Sequence, residues 1–385
     1  MVIRYIHELE ELPSFHWEER RLAALLATIR FGQAHLLGQM EALGFDIRRE
    51  TSFRMLTEEA IKSSQIEGER LDTDVVRSSI ARRLGIDIGG LSPVDRSVDG
   101  LVDMMLDATQ EFADPLTEER LFGWHAALFP TGRSGLRRIR VGDWRDDLSG
   151  PMQVVSGPPG REWVHFEAPA ADRLPSEMRA FLDWFNEDSG TDPLLKAALS
   201  HLWFVTIHPF EDGNGRIARA ITDLALARSE GQHQRFYSMS SQIERDRNNY
   251  YRELEGAQKA DLDVTAWFTW FLNCLGSAIE IAKTSLGTSL GRARFWERLR
   301  AFPMNARQRE MLNRLFDGFE GNLTTSKWAQ ITKTSTDTAL RDISELVSFG
   351  VLKRDDAGGR STRYWLAEAV TDDASHARSS VDLSS

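Results

Sequence analysis

Cysteine is nearly absent: Cys274 is the one thiol in 385 residues. An intrachain disulfide is therefore excluded, as is a metal site built on clustered cysteines, and a reducing compartment is the expectation. Long apolar runs are lacking too. No stretch approaches the ~18 apolar residues a membrane span requires, so none is expected. Residues 1–20 alternate charged and apolar groups without a basic start followed by an apolar run. No signal peptide is expected, and a cytoplasmic location follows as the expectation. Basic charge is in deficit, with 47 Lys and Arg against 58 Asp and Glu and a net charge of −11. That balance argues against nucleic-acid binding by the chain as a whole, though a local patch is not excluded. Internal repeats and Cys/His metal spacings are not found. The length is enough for a sizeable core and two or three domains.

What is present is concentrated in residues 208–219, His-Pro-Phe-Glu-Asp-Gly-Asn-Gly-Arg-Ile-Ala-Arg. Leu194 to Ile207 reads as an apolar helix that Pro209 ends. Ile217, Ile221, Leu224 and Ala225 recur at helical spacing, so a second helix is expected near Gly215. The residues between form a short loop feeding a helix N-terminus, where unpaired N–H groups and the positive dipole end suit an anion. Gly213 and Gly215 allow close backbone approach, and Arg216 and Arg219, three residues apart, can share one polyanion. Asp212 is placed to hold Mg²⁺ beside phosphate oxygens. His208 could take a proton from an incoming hydroxyl, and Phe210 reads as a core anchor. Singly, these residues have plainer readings: a structural histidine, a turn, two solvated arginines.

The stretch resembles the signature of the Fic family, His-x-Phe-x-(Asp/Glu)-Gly-Asn-Gly-Arg-x-x-Arg, at every fixed position. The resemblance implies a mainly α, Fic-type helical core with a small β-hairpin flap. It also implies transfer of a nucleoside monophosphate, usually AMP from Mg-ATP, onto a protein Ser, Thr or Tyr hydroxyl. By position, His208 becomes the general base and Asp212 the metal ligand. Gly213, Asn214, Gly215 and Arg216 become phosphate contacts, and Arg219 the grip on the γ-phosphate. The related death-on-curing kinases depart from the Gly-Asn-Gly-Arg pattern, so nucleotidyl transfer is expected rather than phosphoryl transfer.

A second motif, Ser63-Ser64-Gln65-Ile66-Glu67-Gly68, resembles the family's inhibitory motif (Ser/Thr)-x-x-x-Glu-(Gly/Asn). Ser52 to Glu67 reads as a helix with Ser52 as N-cap and Gly68 as the capping glycine at its end. A glutamate in the last turn opposes the helix dipole and makes more sense if a cation lies opposite. The resemblance nominates Arg219, which Glu67 would hold in place of the γ-phosphate. Read alone, Glu67 is a solvated acid at a helix end.

Looser matches follow. Val141-Gly142-Asp143-Trp144-Arg145 and Met152 to Pro158 resemble the approach to the flap, an extended segment that docks a target as an added strand. Val155, Ser156 and Gly157 fall within it, and an ordinary surface hairpin is the alternative. Tyr250, Tyr251 and Gln258 match a segment that closes over adenine in relatives. A tyrosine pair on a helix is also an ordinary core feature, and Gln258 stands where some relatives have Asn.

The expected organisation is a helical accessory region over 1–50 and a core over 51–282, with the inhibitory helix at 52–68. A connecting helix or linker follows over 283–302, then a winged helix-turn-helix-like domain over 303–368 and a disordered tail over 369–385. Trp17 to Ala42 reads as a long helix, and Ser285 to Gly291 as a boundary or bend. In the C-terminal part, helices around Met311 and Leu312, from Thr324 and from Ser335 precede a hairpin turning at Gly358-Gly359. Basic residues there exceed acidic ones by about two, a thin footprint for DNA, so DNA and protein partners both stay open. Homodimerisation, self-modification, a nucleotide-sensing transcriptional regulator and AMP removal by the same site stay open as well.

Overall fold

The computed structural model describes residues 5–148, 150–158, 161, 163–188, 190–259, 261–316, 319, 321–355 and 362–367, apart from the side chains of Ser289 and Ala293. The expected turn at Gly358-Gly359 and the tail at 369–385 lie outside the described residues. The protein is mainly helical and divides into two compact units, Met1–Ala282 and Lys283–Ser385.

The first unit runs α1 (Glu19–Glu41), α2 (Phe45–Ile66), α3 (Thr73–Leu84), α4 (Arg96–Gln110) and α5 (Glu118–Leu128). Two small hairpins follow, β1 (Arg133–Ser134) with β2 (Arg137–Arg138), and β3 (Gln153–Ser156) with β4 (Trp163–Glu167). Then come α6 (Leu174–Asn186), α7 (Pro193–Ile207), α8 (Asn214–Glu230), α9 (Met239–Arg245), α10 (Arg247–Gln258) and the start of α11 (Thr265–Leu299), which continues past Ala282 into the second unit.

α7 is the central helix, because its sequence is apolar all round. Leu194, Leu202, Phe204 and Ile207 are all buried, as a helix without a polar face must be. Asp192 caps its start by accepting from the Leu194 N–H at 2.9 Å, with Pro193 at the first position, where a missing N–H costs nothing. α8 packs along it and ends at Gly231.

α2 differs from expectation at its start. It begins at Phe45 behind Gly44, and Ser52 is buried within it rather than capping it. Phe53, Leu56 and Ala60 fix the buried face, so the helix extends a further two turns before Gly44 breaks it. Glu59, on that face, accepts from the Ser238 hydroxyl at 2.6 Å and the Ser240 N–H at 3.1 Å. A buried carboxylate thereby caps the start of α9 and pins α2 beside the centre. Ser285 to Gly291 is likewise not a bend, since α11 is continuous through it, and the division between the two units falls just before it, after Ala282. Leu286 is buried there, and tertiary burial outweighs the weak helix preference of Gly, Ser and Thr.

The second unit holds α12 (Ala306–Phe316), α13 (Thr325–Ile331), α14 (Thr336–Ser348) and an antiparallel pair, β5 (Leu352–Arg354) with β6 (Tyr364–Leu366). Its core gathers Met311, Leu312, Trp328, Ile343, Leu346 and Leu352. Thr324 and Ser335 cap α13 and α14 through their hydroxyls. Among the described residues no helix is long and apolar enough to cross a membrane.

Candidate active site

The loop between α7 and α8 turns on His208. As the C-cap of α7 it takes left-handed dihedrals (φ 51°, ψ 56°), a conformation that costs a non-glycine residue about 1–2 kcal/mol. Phe210 anchors the loop in the core, stacked on His125 with ring centroids 4.2 Å apart and packed on Trp144 at 5.2 Å. Asn214 closes the turn with its side chain: Oδ1 accepts from the Phe210 N–H at 3.0 Å, and Nδ2 donates to the Phe210 carbonyl at 2.7 Å. Its amide is committed to the loop, so any phosphate contact from Asn214 falls to its backbone.

The His208 imidazole is partly buried, with Nδ1 3.3 Å from the Val205 carbonyl. That contact suits a tautomer in which Nδ1 donates and Nε2 is left to accept. Burial pushes its pKa down to about 4, with Arg145 adding to the effect against Glu67 and Asp212. The residue is a neutral base at ordinary pH. Asp212 lies at the start of the turn into α8. One of its oxygens accepts from the Gly213 N–H at 2.6 Å and the other from the Ser134 hydroxyl on β1. Glu211 beside it pairs with Arg137 at 2.9 Å.

Arg216 and Arg219 face α2. Arg219 is 3% exposed; Nη2 meets Glu67 Oε1 at 2.7 Å and the Ser63 carbonyl at 2.9 Å, and Nε donates to the Ser63 hydroxyl at 2.8 Å. Gly215 allows the close approach, because a Cβ there would lie 2.1 Å from Glu67 Oε1. Arg216 spreads over the Phe129 ring at 5.1 Å and pairs with Glu69 at 2.9 Å. Two donors remain: Arg216 Nε and Arg219 Nη1 are buried without a hydrogen-bond partner among the described residues.

Local chain geometry delivers both acids. α2 ends with the Gly68 N–H donating to the Gln65 carbonyl and the Glu69 N–H to the Ser64 carbonyl, each at 3.0 Å, and Gly68 has φ 84°. This Schellman arrangement needs glycine at that position and folds the chain back, so that Glu69 as well as Glu67 reaches α8. Tyr251 adds a link, its hydroxyl donating to the Ile66 carbonyl at 3.2 Å.

The remaining expected residues scatter. Val155 and Ser156 are exposed on β3, where the register shifts after Val154, and Gly157 is exposed just beyond. Ser156 Oγ lies 2.6 Å from His165 Nε2, and His165 Nδ1 lies 3.1 Å from Glu255 on α10. Tyr250 is buried, its hydroxyl 3.0 Å from His201 Nε2, and Gln258 is buried against Thr206 at 3.3 Å. Both have spent their side chains on the interior, which fits the plainer core reading and offers adenine no free face. Tyr251 alone of the three is exposed.

Sequence reasoning missed Glu69, Ser134 and the role of Arg145. Glu69 carried a faint signal as the second acid in Glu-Gly-Glu. The other two carried none, since their partners lie far along the chain.

Residues 115–226 match the Fic/DOC family, and residues 5–86 match a domain of unknown function (DUF4172). Protein adenylyltransferase fic-1 of Caenorhabditis briggsae is 34% identical over 99 residues, 25% of this chain and 18% of that protein. Uridine 5'-monophosphate transferase of Xanthomonas campestris pv. campestris (strain 8004) is 32% identical over 124 residues, 30% of this chain and 21% of that protein. The chain thus spans about a fifth of the length of these curated relatives. A Fic family protein from Desulfovibrio desulfuricans G20 shares the fold, with a TM-score of 0.51 at 22% identity over 90% of this chain and 95% of that one. The segment that matches the Fic/DOC family contains α7, α8 up to Leu226 and the whole signature between them.

Proposed function

We propose that the protein is a protein adenylyltransferase, transferring AMP from Mg-ATP to a Ser, Thr or Tyr hydroxyl, and that Glu67 holds it off by occupying Arg219. The observation that carries the reading is the pair of buried, unpartnered donors, Arg216 Nε and Arg219 Nη1, on the first turns of α8. Two guanidinium groups with spare N–H groups at a helix N-terminus form a site for a polyphosphate. A neutral histidine stands beside it.

In the reaction, the acceptor hydroxyl oxygen attacks the α-phosphorus, and the bond from that phosphorus to the α,β-bridging oxygen breaks. Pyrophosphate leaves, and His208 Nε2 takes the hydroxyl proton. Arg216 and Arg219 bind the phosphate chain and stabilise its charge as the bond breaks. The residues fit a magnesium ion that arrives with the nucleotide. Among the described residues no set of three His, Cys, Asp or Glu could hold an ion alone, whereas Asp212 offers one carboxylate beside the phosphate site, the sparse protein share that Mg²⁺ usually takes. Bound there, the ion would offset phosphate charge.

Glu67 opposes all this. Its carboxylate lies over Gly215, where the backbone would otherwise approach a phosphate, and it takes Arg219 Nη2. The curated relatives named above include an adenylyl and a uridylyl transferase. The shared chemistry is nucleoside-monophosphate transfer, and adenine is the proposed base.

The test uses ATP labelled on the α-phosphate with wild type, E67G and H208A/E67G. Self-labelling should be strong for E67G, weak for wild type and absent when His208 is removed. Equal labelling of wild type and E67G would end the inhibition reading. Label from UTP in preference to ATP would change the base, and label arriving only from the γ-phosphate would make the protein a kinase.

A further inference from the structure

Arg145 lies outside the signature, on the stretch that leads into the β3–β4 hairpin, yet it is among the best-held side chains near the site. It is 3% exposed, and its guanidinium reaches three separate segments. Nε donates to the His208 carbonyl at 2.8 Å. Nη2 donates to the Pro169 carbonyl at 2.5 Å, two residues beyond the end of β4. Nη1 pairs at 2.9 Å with Asp147, whose other oxygen accepts from the Ala171 N–H at 2.6 Å. The Arg145 backbone N–H adds a bond to the Pro209 carbonyl at 3.0 Å.

We infer that Arg145 is a positioning residue that fixes the β3–β4 hairpin in register with His208. The inference rests on the proposed role of His208 as base and of the hairpin as the docking site for the acceptor. The physical reasons are separate from that role. A carbonyl at a helix C-terminus lacks an intrahelical donor, and a guanidinium supplies one with favourable charge. His208 occupies left-handed dihedrals that a non-glycine residue keeps only when its surroundings hold it there. Arg145 holds it through the carbonyl, while Trp144, its neighbour in sequence, packs on Phe210. The same guanidinium ties the chain just after the hairpin, and Asp147 ties the chain just before it. One planar, multi-donor group therefore sets the spacing between hairpin and base. Lysine, with a point charge on a flexible stem, would hold one of these carbonyls but not all the contacts together.

The consequence is specific to the transfer step. Misplacing an acceptor by about 1 Å from its base can cost on the order of 100-fold in rate, whereas the hydrogen bonds of the Arg145 guanidinium go to His208, Asp147 and Pro169 and not to Arg216 or Arg219, so nucleotide binding should be left alone. Self-labelling is measured in the E67G background as a function of ATP concentration. R145Q should lower the maximal rate about 10–100-fold and leave the half-saturating ATP concentration within about twofold, and R145K should recover part of the rate. Loss of ATP affinity in parallel with rate, or a maximal rate equal to that of E67G, would overturn the inference. Should the Arg145 variants fail to fold, D147N decides, since it frees one arm of the guanidinium and keeps the rest. A reduced maximal rate at unchanged half-saturation is expected for D147N, and an unchanged rate overturns the inference. If E67G alone takes no label, the adenylyltransferase reading has failed and Arg145 is not at issue.

Discussion

Glu69 Oε2 lies 2.9 Å from Arg216 Nη1, two residues along the chain from the Glu67 carboxylate that holds Arg219 at 2.7 Å. Both arginines of the proposed phosphate site are thus occupied by acids from one helix end. The Glu69 side chain is 48% exposed and that of Glu67 32%, so the Glu69 pair is the weaker of the two. Removing Glu67 should leave Arg216 partly masked. Adding E69Q to E67G is expected to lower the half-saturating ATP concentration for self-labelling about 1.4–5-fold, the equivalent of a partly exposed pair worth about 0.2–1 kcal/mol. E69Q alone should stay unlabelled, because Arg219 is still held.

Ser63 gives a graded version of the same release. Its hydroxyl accepts from Arg219 Nε and its carbonyl from Nη2. S63A removes the hydroxyl contact and keeps the carbonyl. A single hydrogen bond contributes about 1 kcal/mol, so wild-type labelling should rise about fivefold and remain below that of E67G. No rise would show that the Ser63 hydroxyl adds nothing to the hold on Arg219.

The pH dependence of E67G separates a buried base from an ordinary histidine. Burial holds the His208 pKa down at about 4, so the neutral, proton-accepting form persists as pH falls until that region is reached. Glu67 raises this pKa, and its removal in E67G moves it further down. The labelling rate should therefore change less than about twofold between pH 7.5 and 6, whereas an unperturbed histidine near 6.5 would lose about three-quarters of its neutral form. A rate that follows the ordinary titration would show that His208 is solvated when it acts.

Gly100 tests the packing beneath the site. A Cβ there would lie 1.8 Å from the Ala127 carbonyl oxygen, so α4 and α5 touch through their backbones. G100A cannot be absorbed by turning a side chain. Overpacking of this kind costs about 1–3 kcal/mol, and thermal unfolding should shift down by several degrees, about 2–4 °C per kcal/mol. An unchanged melting temperature would mean that the two helices separate freely.

Much of this was legible in the sequence because it is local. α7 and α8 follow from apolar periodicity and their punctuation by Pro193, Pro209 and Gly231. The order of base, carboxylate, glycines and arginines is contiguous along the chain, so composition and spacing carry it. Gly68 could be read as a helix stop for the same reason. Reading went astray where a local preference met tertiary burial. Ser52 is a good cap by type yet is buried in mid-helix, and the Gly/Ser/Thr stretch at 285–291 is helical throughout.

By itself, then, the sequence determined which chemical groups stand together on the loop, since their spacing is fixed by covalent bonds and one helical turn. The tertiary structure alone decided which of them are free. Arg219 is claimed by a glutamate 152 residues away, Arg216 by one 147 residues away, and the His208 carbonyl by an arginine 63 residues away. Such pairings depend on how α2 and the hairpin approach pack against α7 and α8. That packing is a sum of many side-chain contacts that no short motif contains.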